Sequence, residues 1–342
     1  MPAFKAFYLL PLTTYRTPLR SDTLWGKLAW AIRLLYGEKE LEKLIESYES
    51  GGPEAFYISS AFPFGIKEEK NELLHFLPRP MLPPPLTEDR QDDFLSQKMA
   101  MRRKKKLAKI AHYGLEQWEY VAGAGELVST ESAAFQAPKQ LTTHMTHVTI
   151  DRATGSTLSL NNGGQLFHSP EKFMKPDKKA GFDKTGLFFL AQGNTTKVET
   201  ALRFLRHIGL GGDRTTGKGT FELYKTADFD LKSPATPNAV MTLSLFHPTA
   251  EERLDLEKIA GQDERYLNYK LVRRQGRMSP EFMVSSRYQK DIIPYFEEGS
   301  TFPISAFKNH LAAGFNPPAM KDLPENPARQ YGHALFVPIN IK

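Results

Sequence analysis

A glycine-rich segment of this chain has the composition of an anion-binding loop. Five glycines lie within the eleven residues from Gly209 to Gly219, among two threonines and two basic side chains. Glycine permits positive φ and leaves backbone N–H groups open to a polyanion, while arginine and lysine add positive charge. The segment therefore predicts a phosphate-binding loop. The residues that we expect to contribute are Gly209, Gly211, Gly212, Arg214, Thr215, Thr216, Gly217, Lys218 and Gly219.

A nucleotide-binding P-loop matches this segment only in part. Gly212 and Lys218 have the P-loop spacing, but Gly219 stands where the motif has the hydroxyl that binds magnesium. A P-loop also follows a strand and precedes a helix, whereas here a helical pattern comes before the loop and a strand pattern after it. A helix C-cap followed by a turn is a simpler alternative, but it explains only the first of the five glycines.

The composition indicates a soluble globular protein with an anionic partner. The 342 residues are 40% hydrophobic and 25% charged, with a formal net charge of +6. Cysteine is absent from the sequence, which excludes disulfides, cysteine-ligated zinc and thiol catalysis and fits a reducing compartment. The first residues lack a signal-peptide pattern, and no apolar run approaches the roughly eighteen residues of a membrane span. We therefore expect a cytoplasmic protein with no membrane contact.

A dense basic run occupies residues 98–109, with seven basic residues and no acidic one. Like charges at this density repel one another unless something neutralises them, which favours a contact with nucleic acid. A solvated helix face or a linker explains the run equally well. The sequence leaves both interpretations open.

The acidic residues give little support to metal-dependent catalysis. Cleavage of RNA by metal ions requires a carboxylate beside the scissile phosphate, and residues 11–20 contain no Asp or Glu. Asp22 is the nearest acid, and its expected task is to cap a helix. After Asp213, a basic residue replaces the second acid of a GGDD-type motif. The sequence therefore predicts no metal site and no cofactor.

Histidine is the residue that a metal-independent ribonuclease commonly uses as its general acid or base. His144 and His147 lie in a polar region of the chain, without further metal ligands at useful spacing. They are interpreted as contacts to an RNA base or phosphate, or simply as exposed loop residues. A ribonuclease stays an alternative function.

The first elements of the chain can be read from periodicity. Residues 4–12 form an aromatic-rich strand pattern, and residues 56–62 form another. Between them, Ser21 or Asp22 is expected to begin a helix that Gly37 ends. The glycine-rich segment follows a later helical pattern and precedes a strand pattern.

A long insertion separates these elements from the glycine-rich segment. The proline-rich residues 78–85 predict an exposed connector, and residues 86–185 predict an insertion that is partly hairpin and partly mobile. Strand patterns at 186–192 and 221–231 flank the helix and the glycine-rich segment. The order of elements over residues 1–231 is βαββαβ, which is that of a ferredoxin-like (RRM-like) domain.

A second, smaller domain is predicted over residues 238–342, after a short linker at 232–238. It reads as a less regular copy of the same class, so the whole chain is assigned to the α+β class with two ferredoxin-like domains. Its expected elements are a strand at 239–246, a helix at 249–260, a hairpin of residues 267–274 and 281–286 around Gly276, and late strands at 301–304 and 333–341.

These segments resemble the RAMP superfamily of CRISPR proteins. Within it they are similar to the fourth Csm subunit of type III-A effector complexes, which caps the 5′ handle of the CRISPR RNA. The glycine-rich segment after a helix is one point of resemblance. The others are residues 20–28 (first helix), 147–156 and 165–167 (a thumb hairpin), and 271–279, 296–302 and 329–335 (C-terminal signatures).

The resemblance implies a non-catalytic RNA-binding subunit. Such a subunit binds the repeat-derived 5′ handle, docks on the large polymerase-like subunit, starts the filament of backbone RAMP subunits and meets target RNA only indirectly. Its thumb would fold over the RNA near the junction of handle and guide. The second domain departs from many relatives because it has no second glycine-rich loop, which puts its RNA contacts in doubt. The related alternative is a metal-independent endoribonuclease that processes CRISPR repeat RNA.

A set of RNA-binding residues follows from the loop and the resemblance together. Handle phosphates are expected on the glycine-rich segment and on the N-terminus of the first helix, where the helix dipole favours anions. Besides the glycine-rich segment, the predicted RNA-binding residues are Arg20, Ser21, Thr23, Lys27, His144, His147, Arg152 and Arg274.

Overall fold

The computed structural model of the chain describes residues 4–83, 98, 101–102, 105–107, 109–128, 136–157, 159–160, 163–164, 166–176, 180–261, 267–278, 288–307, 313–323, 326 and 328–342. Its α-helices are α1 (Ser21–Tyr36), α2 (Glu38–Ser50), α3 (Leu115–Ala124), α4 (Thr195–Ile208) and α5 (Ala250–Ala260). Its strands are β1 (Phe4–Pro11), β2 (Phe56–Ile58), β3 (Phe62–Lys67), β4 (Glu72–Pro78), β5 (His112–Gly114), β6 (Gln140–Val148), β7 (Ser159–Leu160), β8 (Gly163–Gly164), β9 (Leu166–Met174), β10 (Lys184–Gly193), β11 (Phe221–Phe229), β12 (Ala239–Thr242), β13 (Leu271–Arg274), β14 (Ile293–Phe296), β15 (Thr301–Pro303) and β16 (Phe336–Ile339).

The central sheet is antiparallel and is built around β1. Its strands run in the order β11-β1-β10-β3-β4-β5, and β2 also pairs with β10. Side chains alternate between the two sides of a strand. Phe7 and Leu9 of β1 therefore lie in one hydrophobic cluster, while Ala6 and Tyr8 lie in another on the opposite side. Both sides of the sheet are buried.

Different parts of the chain cover the two sides of this sheet. Helices α1, α2 and α4 pack on the first side, through residues such as Leu28 and Leu202. On the second side, Trp118 of α3 packs together with Met241 of β12 and Val337 of β16. Residues 238–342 thus complete the core of residues 4–231. We keep the labels second and first domain for these two parts of the chain, and their division into two ferredoxin-like domains stays a prediction. No open sheet face is left on β1 for a ligand.

Several elements of the first domain differ from the predictions. The expected strand over residues 56–62 is two strands, β2 and β3, because Ser59 uses its hydroxyl to accept a hydrogen bond from the Leu190 N–H at 2.9 Å. Pro78 is the buried end of β4, so the prediction of an exposed connector beginning there is wrong. The region expected as an insertion contains α3 and β5, which were not predicted, as well as the predicted hairpin, β6 with β9.

The second domain has a three-stranded sheet in the order β15-β12-β16 and a separate pair, β13 with β14. Helix α5 begins as predicted, because Thr249 and Glu252 form a capping box. The predicted partner of β13, residues 281–286, lies outside the described residues. The described partner is β14, in register Leu271 to Phe296.

The described elements form a mixed α and β structure, as predicted, and every described strand pairing is antiparallel. Among the described residues, no helix is long and apolar enough to cross a membrane. Five of the seven basic residues of the run at 98–109 lie within the described part, and all five are exposed: Lys98, Arg102, Lys105, Lys106 and Lys109. Arg103 and Lys104 lie outside it.

An aromatic cluster joins the two domains. The ring of Tyr331, which is fully buried, stacks on Trp25 of α1 at a centroid distance of 5.6 Å. Its hydroxyl accepts a hydrogen bond from the Ile58 N–H at 3.0 Å, at the point where β2 ends. Tyr331 therefore connects the second domain with both a helix and a strand of the first.

Replacing Tyr331 by Phe tests this connection. The change keeps the ring but leaves the buried Ile58 N–H without its acceptor, so we expect a loss of about 1–3 kcal/mol in the free energy of unfolding. Urea denaturation followed by circular dichroism measures it. The control is Tyr269→Phe, at a half-exposed ring. Equal urea midpoints for the two variants would contradict the assignment.

Candidate nucleic-acid interface

A groove of about 650 Å³ lies between α1, α2, the glycine-rich loop and the second domain. Its lining carries more positive than negative side chains, and a cleft with such a surplus attracts polyanions. The basic residues that line the groove are Arg16, Lys27, Arg33, Arg214, Arg274, Arg277, Lys290 and Arg329, and the acidic ones are Asp22, Glu38, Glu42 and Asp213.

One face of α1 forms a wall of the groove. Thr23, Gly26, Lys27 and Trp30 are three or four residues apart, so they lie on the same side of the helix. The opposite side of α1 is apolar and buried against the sheet. The amphipathic pattern of α1 therefore turns these four residues toward the groove.

Two cations in the groove, Lys27 and Arg214, form no ion pair with any described carboxylate. Burial and the nearby charges of Arg214 and Lys290 lower the pKa of Lys27 to about 8. Burial also lowers the pKa of Lys290, although the Asp22 charge acts in the opposite direction and Lys290 Nζ donates a hydrogen bond to Arg329 O at 3.1 Å. The Arg214 guanidinium lies 5.0 Å from the ring centre of Trp30, and its Nη1 atom is buried without a hydrogen-bond partner. A bound phosphate would supply the missing negative charge.

Two carboxylates of the groove, Asp22 and Asp213, are paired with arginines. Asp22 accepts hydrogen bonds from Arg274 Nε at 2.9 Å and Nη2 at 3.1 Å. Asp213 forms an ion pair with Arg16 at 2.9 Å. These two ion pairs neutralise the carboxylates of Asp22 and Asp213, and the charges nearest to Lys27 are then the positive ones of Arg214 and Lys290.

The glycines of the loop have two different roles. Gly209 and Gly219 have positive φ, and an added Cβ would collide with the carbonyl oxygens of Lys218 and Leu210, respectively. The backbone requires these two glycines for its own packing. Gly217 also has positive φ, but nothing lies within 4 Å of its missing Cβ.

Part of the loop backbone is already hydrogen-bonded within the protein. The N–H of Gly219 bonds to Thr14 O at 2.8 Å, and the N–H of Gly217 bonds to Arg214 O at 2.9 Å. Among the described residues, the N–H groups of Gly211, Gly212 and Asp213 donate no such bond. The loop therefore offers a ligand a shorter stretch of backbone than the sequence predicted.

The N-terminus of α1 differs from the prediction. Arg20 is the N-cap residue, so neither Ser21 nor Asp22 caps the helix. Ser21 is fully buried, and its hydroxyl accepts a hydrogen bond from the Leu245 N–H at 2.9 Å. Arg20 pairs with two glutamates of the second domain. The Ser21 hydroxyl is thus engaged within the protein, and RNA binding by Ser21 stays a prediction.

The hairpin of β6 and β9 contacts the glycine-rich loop at its base. Glu171 of β9 is buried, and it accepts hydrogen bonds from Lys218 Nζ at 2.8 Å and from Thr14 Oγ1 at 2.6 Å. These bonds hold the Glu171 pKa below its usual range, although burial alone would raise it. Lys218 is thus engaged with the hairpin and does not line the groove.

The three predicted residues of the hairpin also lie away from the groove. His147 stacks on Phe167 at 5.2 Å and shares a hydrogen bond of 2.9 Å with Ser169. His144 is exposed on β6, and Arg152 is exposed in the turn beyond it. Among the described residues, no group of three or more His, Asp or Glu side chains could hold a metal ion.

The structure brings together only part of the predicted set. The groove is lined by Thr23, Lys27, Gly211, Gly212, Arg214 and Arg274. The predicted residues outside it are Arg20, Ser21, His144, His147, Arg152, Gly209, Thr215, Thr216, Gly217, Lys218 and Gly219. The groove residues that were not predicted include Arg16, Gly26, Trp30, Lys290 and Arg329. Helical spacing from Thr23 could have revealed Gly26, and the same spacing from Lys27 could have revealed Trp30, but no local signal marks Lys290 or Arg329.

Comparison with known proteins gives matches over most of the chain. The family model of the RAMP superfamily matches residues 10–222. The CRISPR system Cms protein Csm4 of Thermococcus onnurineus (strain NA1) is 26% identical over 256 residues, which is 73% of this chain and 76% of that protein.

Two solved structures contain chains of similar fold. A chain of the crystal structure of a Csm1-Csm4 cassette in complex with cA4 has a TM-score of 0.60 at 18% identity, over 100% of this chain and 99% of the other. A chain of the Csm3-Csm4 subcomplex in the type III-A CRISPR-Cas interference complex has a TM-score of 0.60 at 16% identity, over 98% and 99%. The resemblance inferred from the sequence is confirmed.

Substitution of Gly219 tests the structural role of the loop glycines. Gly219→Ala combines positive φ with a collision against Leu210 O, so we expect a loss of about 2–4 kcal/mol in the free energy of unfolding. The control is Gly217→Ala, which adds only the φ strain and is expected to cost about 1 kcal/mol. Thermal denaturation compares the two. Equal losses would show that the packing around Gly219 is looser than described.

Proposed function

The chain belongs to the RAMP superfamily, and we propose that it acts as the fourth Csm subunit of a type III-A CRISPR effector complex. In this role it is a non-catalytic subunit that binds the repeat-derived 5′ handle of the CRISPR RNA. It docks on the large polymerase-like subunit and contacts the backbone RAMP subunit, as the names of the similar complexes indicate for their own chains. The complex serves antiviral defence in the cytoplasm.

The observation that carries this proposal is the unneutralised charge of the groove. Lys27 and Arg214 meet there and form no ion pair with any described carboxylate, although each is partly buried, and Lys290 adds a third positive charge beside Lys27. Like charges that lie close together in a partly desolvated cleft destabilise the protein unless a ligand of opposite charge binds there. A single-stranded RNA provides phosphates at regular intervals, which suits a groove lined along its length by cations.

The N–H groups of Gly211, Gly212 and Asp213 extend this binding surface. They border the groove beside Arg214 and make no bond within the described protein. We assign them to one handle phosphate, in the way that backbone nests bind anions. Thr23 and Trp30 on α1 then meet the sugars or bases of the same strand.

The sheet supports a ferredoxin-like assignment for the first domain. The order β11-β1-β10-β3, with α1 and α4 on one side, is the order that a βαββαβ chain takes in that fold. Many RRM domains stack RNA bases on the open side of this sheet. Here α3 and the second domain cover that side, so we place the RNA in the groove instead. The hairpin of β6 and β9 is assigned as the thumb.

Purification from cells that carry the chain's own CRISPR locus tests the proposal. We expect short RNAs that share one repeat-derived 5′ end, together with a large polymerase-like subunit. The purified chain should leave repeat RNA uncut, with or without divalent metal. Cleavage of the repeat would favour the ribonuclease alternative, and recovery without RNA or partner proteins would overturn the proposal.

Removing the Arg214 charge tests its contact with a phosphate. Arg214→Ala should weaken RNA binding and reduce the slope of log K against log salt by about one. The control is Arg203→Ala on α4, an exposed arginine that pairs with Glu199 and does not line the groove. Fluorescence anisotropy at several salt concentrations measures both. An unchanged slope for Arg214→Ala would remove this residue from the RNA site.

The lowered pKa of Lys27 predicts that RNA binding depends on pH. Lys27 carries its charge below pH 8 and loses it above, so affinity should fall about three- to tenfold between pH 7 and 9. Lys27→Arg should abolish this fall because arginine stays protonated. Lys258→Arg, on α5 and paired with Asp255, is the control. A fall of equal size in all three proteins would contradict the role of Lys27.

A further inference from the structure

We propose that Gly26 is a contact position for RNA: its missing side chain lets one ribonucleotide lie directly against the backbone of α1. This inference rests on the proposed function and adds a residue to its site. Gly26 lines the groove between Thr23 and Trp30, on the same side of α1 as Lys27.

Glycine inside a helix needs an explanation, because it is among the least favourable helix residues. Gly26 lies near the middle of α1, which spans Ser21–Tyr36. Its φ is not in the positive region, so the backbone conformation does not require glycine. Alanine would fit the same conformation and would favour the helix.

Packing within the protein does not explain Gly26 either. Nothing lies within 4 Å of the position that its Cβ would take. Two glycines of the central sheet are different: a Cβ at Gly65 would collide with the ring of Phe182, and one at Gly186 would lie 2.5 Å from Leu9 O. The space over Gly26 is open to the groove alone.

The neighbours of Gly26 indicate what fills this space. Lys27 and Arg214 attract a phosphate, and Arg214 already covers the ring of Trp30. A nucleotide whose phosphate lies at these two cations has its ribose or base beside α1. Backbone N–H groups inside a helix are already bonded to the preceding turn. The contact at Gly26 is therefore a van der Waals contact without hydrogen bonds. It accepts a base or a ribose, and it does not select the nucleotide sequence of the RNA.

Gly26→Ala tests the inference because stability and affinity should change in opposite directions. A better helix former should raise the Tm by about 1–3 °C. The added methyl occupies the space of the nucleotide, so the Kd for RNA should rise at least about fivefold. The probe is a fluorescein-labelled RNA of the repeat-derived 5′ handle from the host's own CRISPR array, bound to the full 342-residue chain.

Gly123→Ala is the matched control. Gly123 lies in α3, nothing is within 4 Å of its missing Cβ, and it does not line the groove. This variant should gain Tm in the same way and keep wild-type affinity. Gly26→Leu, with a larger side chain, should lose more affinity than Gly26→Ala.

The outcomes separate this inference from the proposed function. Wild-type affinity retained by both Gly26 variants, while the wild-type chain binds the handle, would overturn the inference alone. If Gly26→Ala lowered both the Tm and the affinity for RNA, the inference would also be overturned, because the glycine would then be required for the stability of the protein. No binding of the handle by the wild-type chain would overturn the proposed function.

Discussion

The contact between the first turn of α1 and the second domain is the constraint on which the groove depends. Three consecutive residues bond across it: Arg20 to Glu297 and Glu298, Ser21 to the Leu245 N–H, and Asp22 to Arg274. The first turn of a helix usually has free N–H groups that capping side chains, water or ligands bind. Here they hold the two domains at a fixed separation, and the groove is the space that remains beside them.

This contact sorts the basic residues of the groove into two kinds. Arg16 and Arg274 pair with carboxylates and belong to the framework of the protein. Lys27 and Arg214 form no such pair within the described part of the chain and keep their attraction for an anion, while Lys290, which donates to Arg329 O, adds to the positive charge beside Lys27. Positive charge alone does not distinguish these kinds, because the distinction depends on which acid lies nearby in three dimensions.

The sequence predicted those parts of the site that carry a local signal. The apolar spacing of α1 and the glycines after α4 were enough to single out Lys27 and Arg214, which both line the groove. Lys290 and Arg329 were missed because they reach the groove from the second domain, and nothing near them in the sequence marks that contact.

The same limit explains the errors. Ser21 looked like a helix cap, but Leu245 from the second domain uses its hydroxyl. Helix α3 was missed because its pattern is short and contains Gly123, and its burial depends on Trp118, which packs on the distant strand β4 and donates to Pro78 O at 3.1 Å. Prediction failed where residues far apart in the chain determine the environment.

The covering of the second side of the central sheet has a consequence for biosynthesis. Leu335, Val337, Ile339 and Ile341 pack against Phe188 and its neighbours on that side. While the chain is being synthesised, this apolar surface stays uncovered until residue 341 has left the ribosome. Contacts at such long range form late, and uncovered apolar sheets associate with other chains. The growing chain therefore exposes part of its apolar core for most of its synthesis, and the groove is complete only after Tyr331, the last residue of its lining, has been translated.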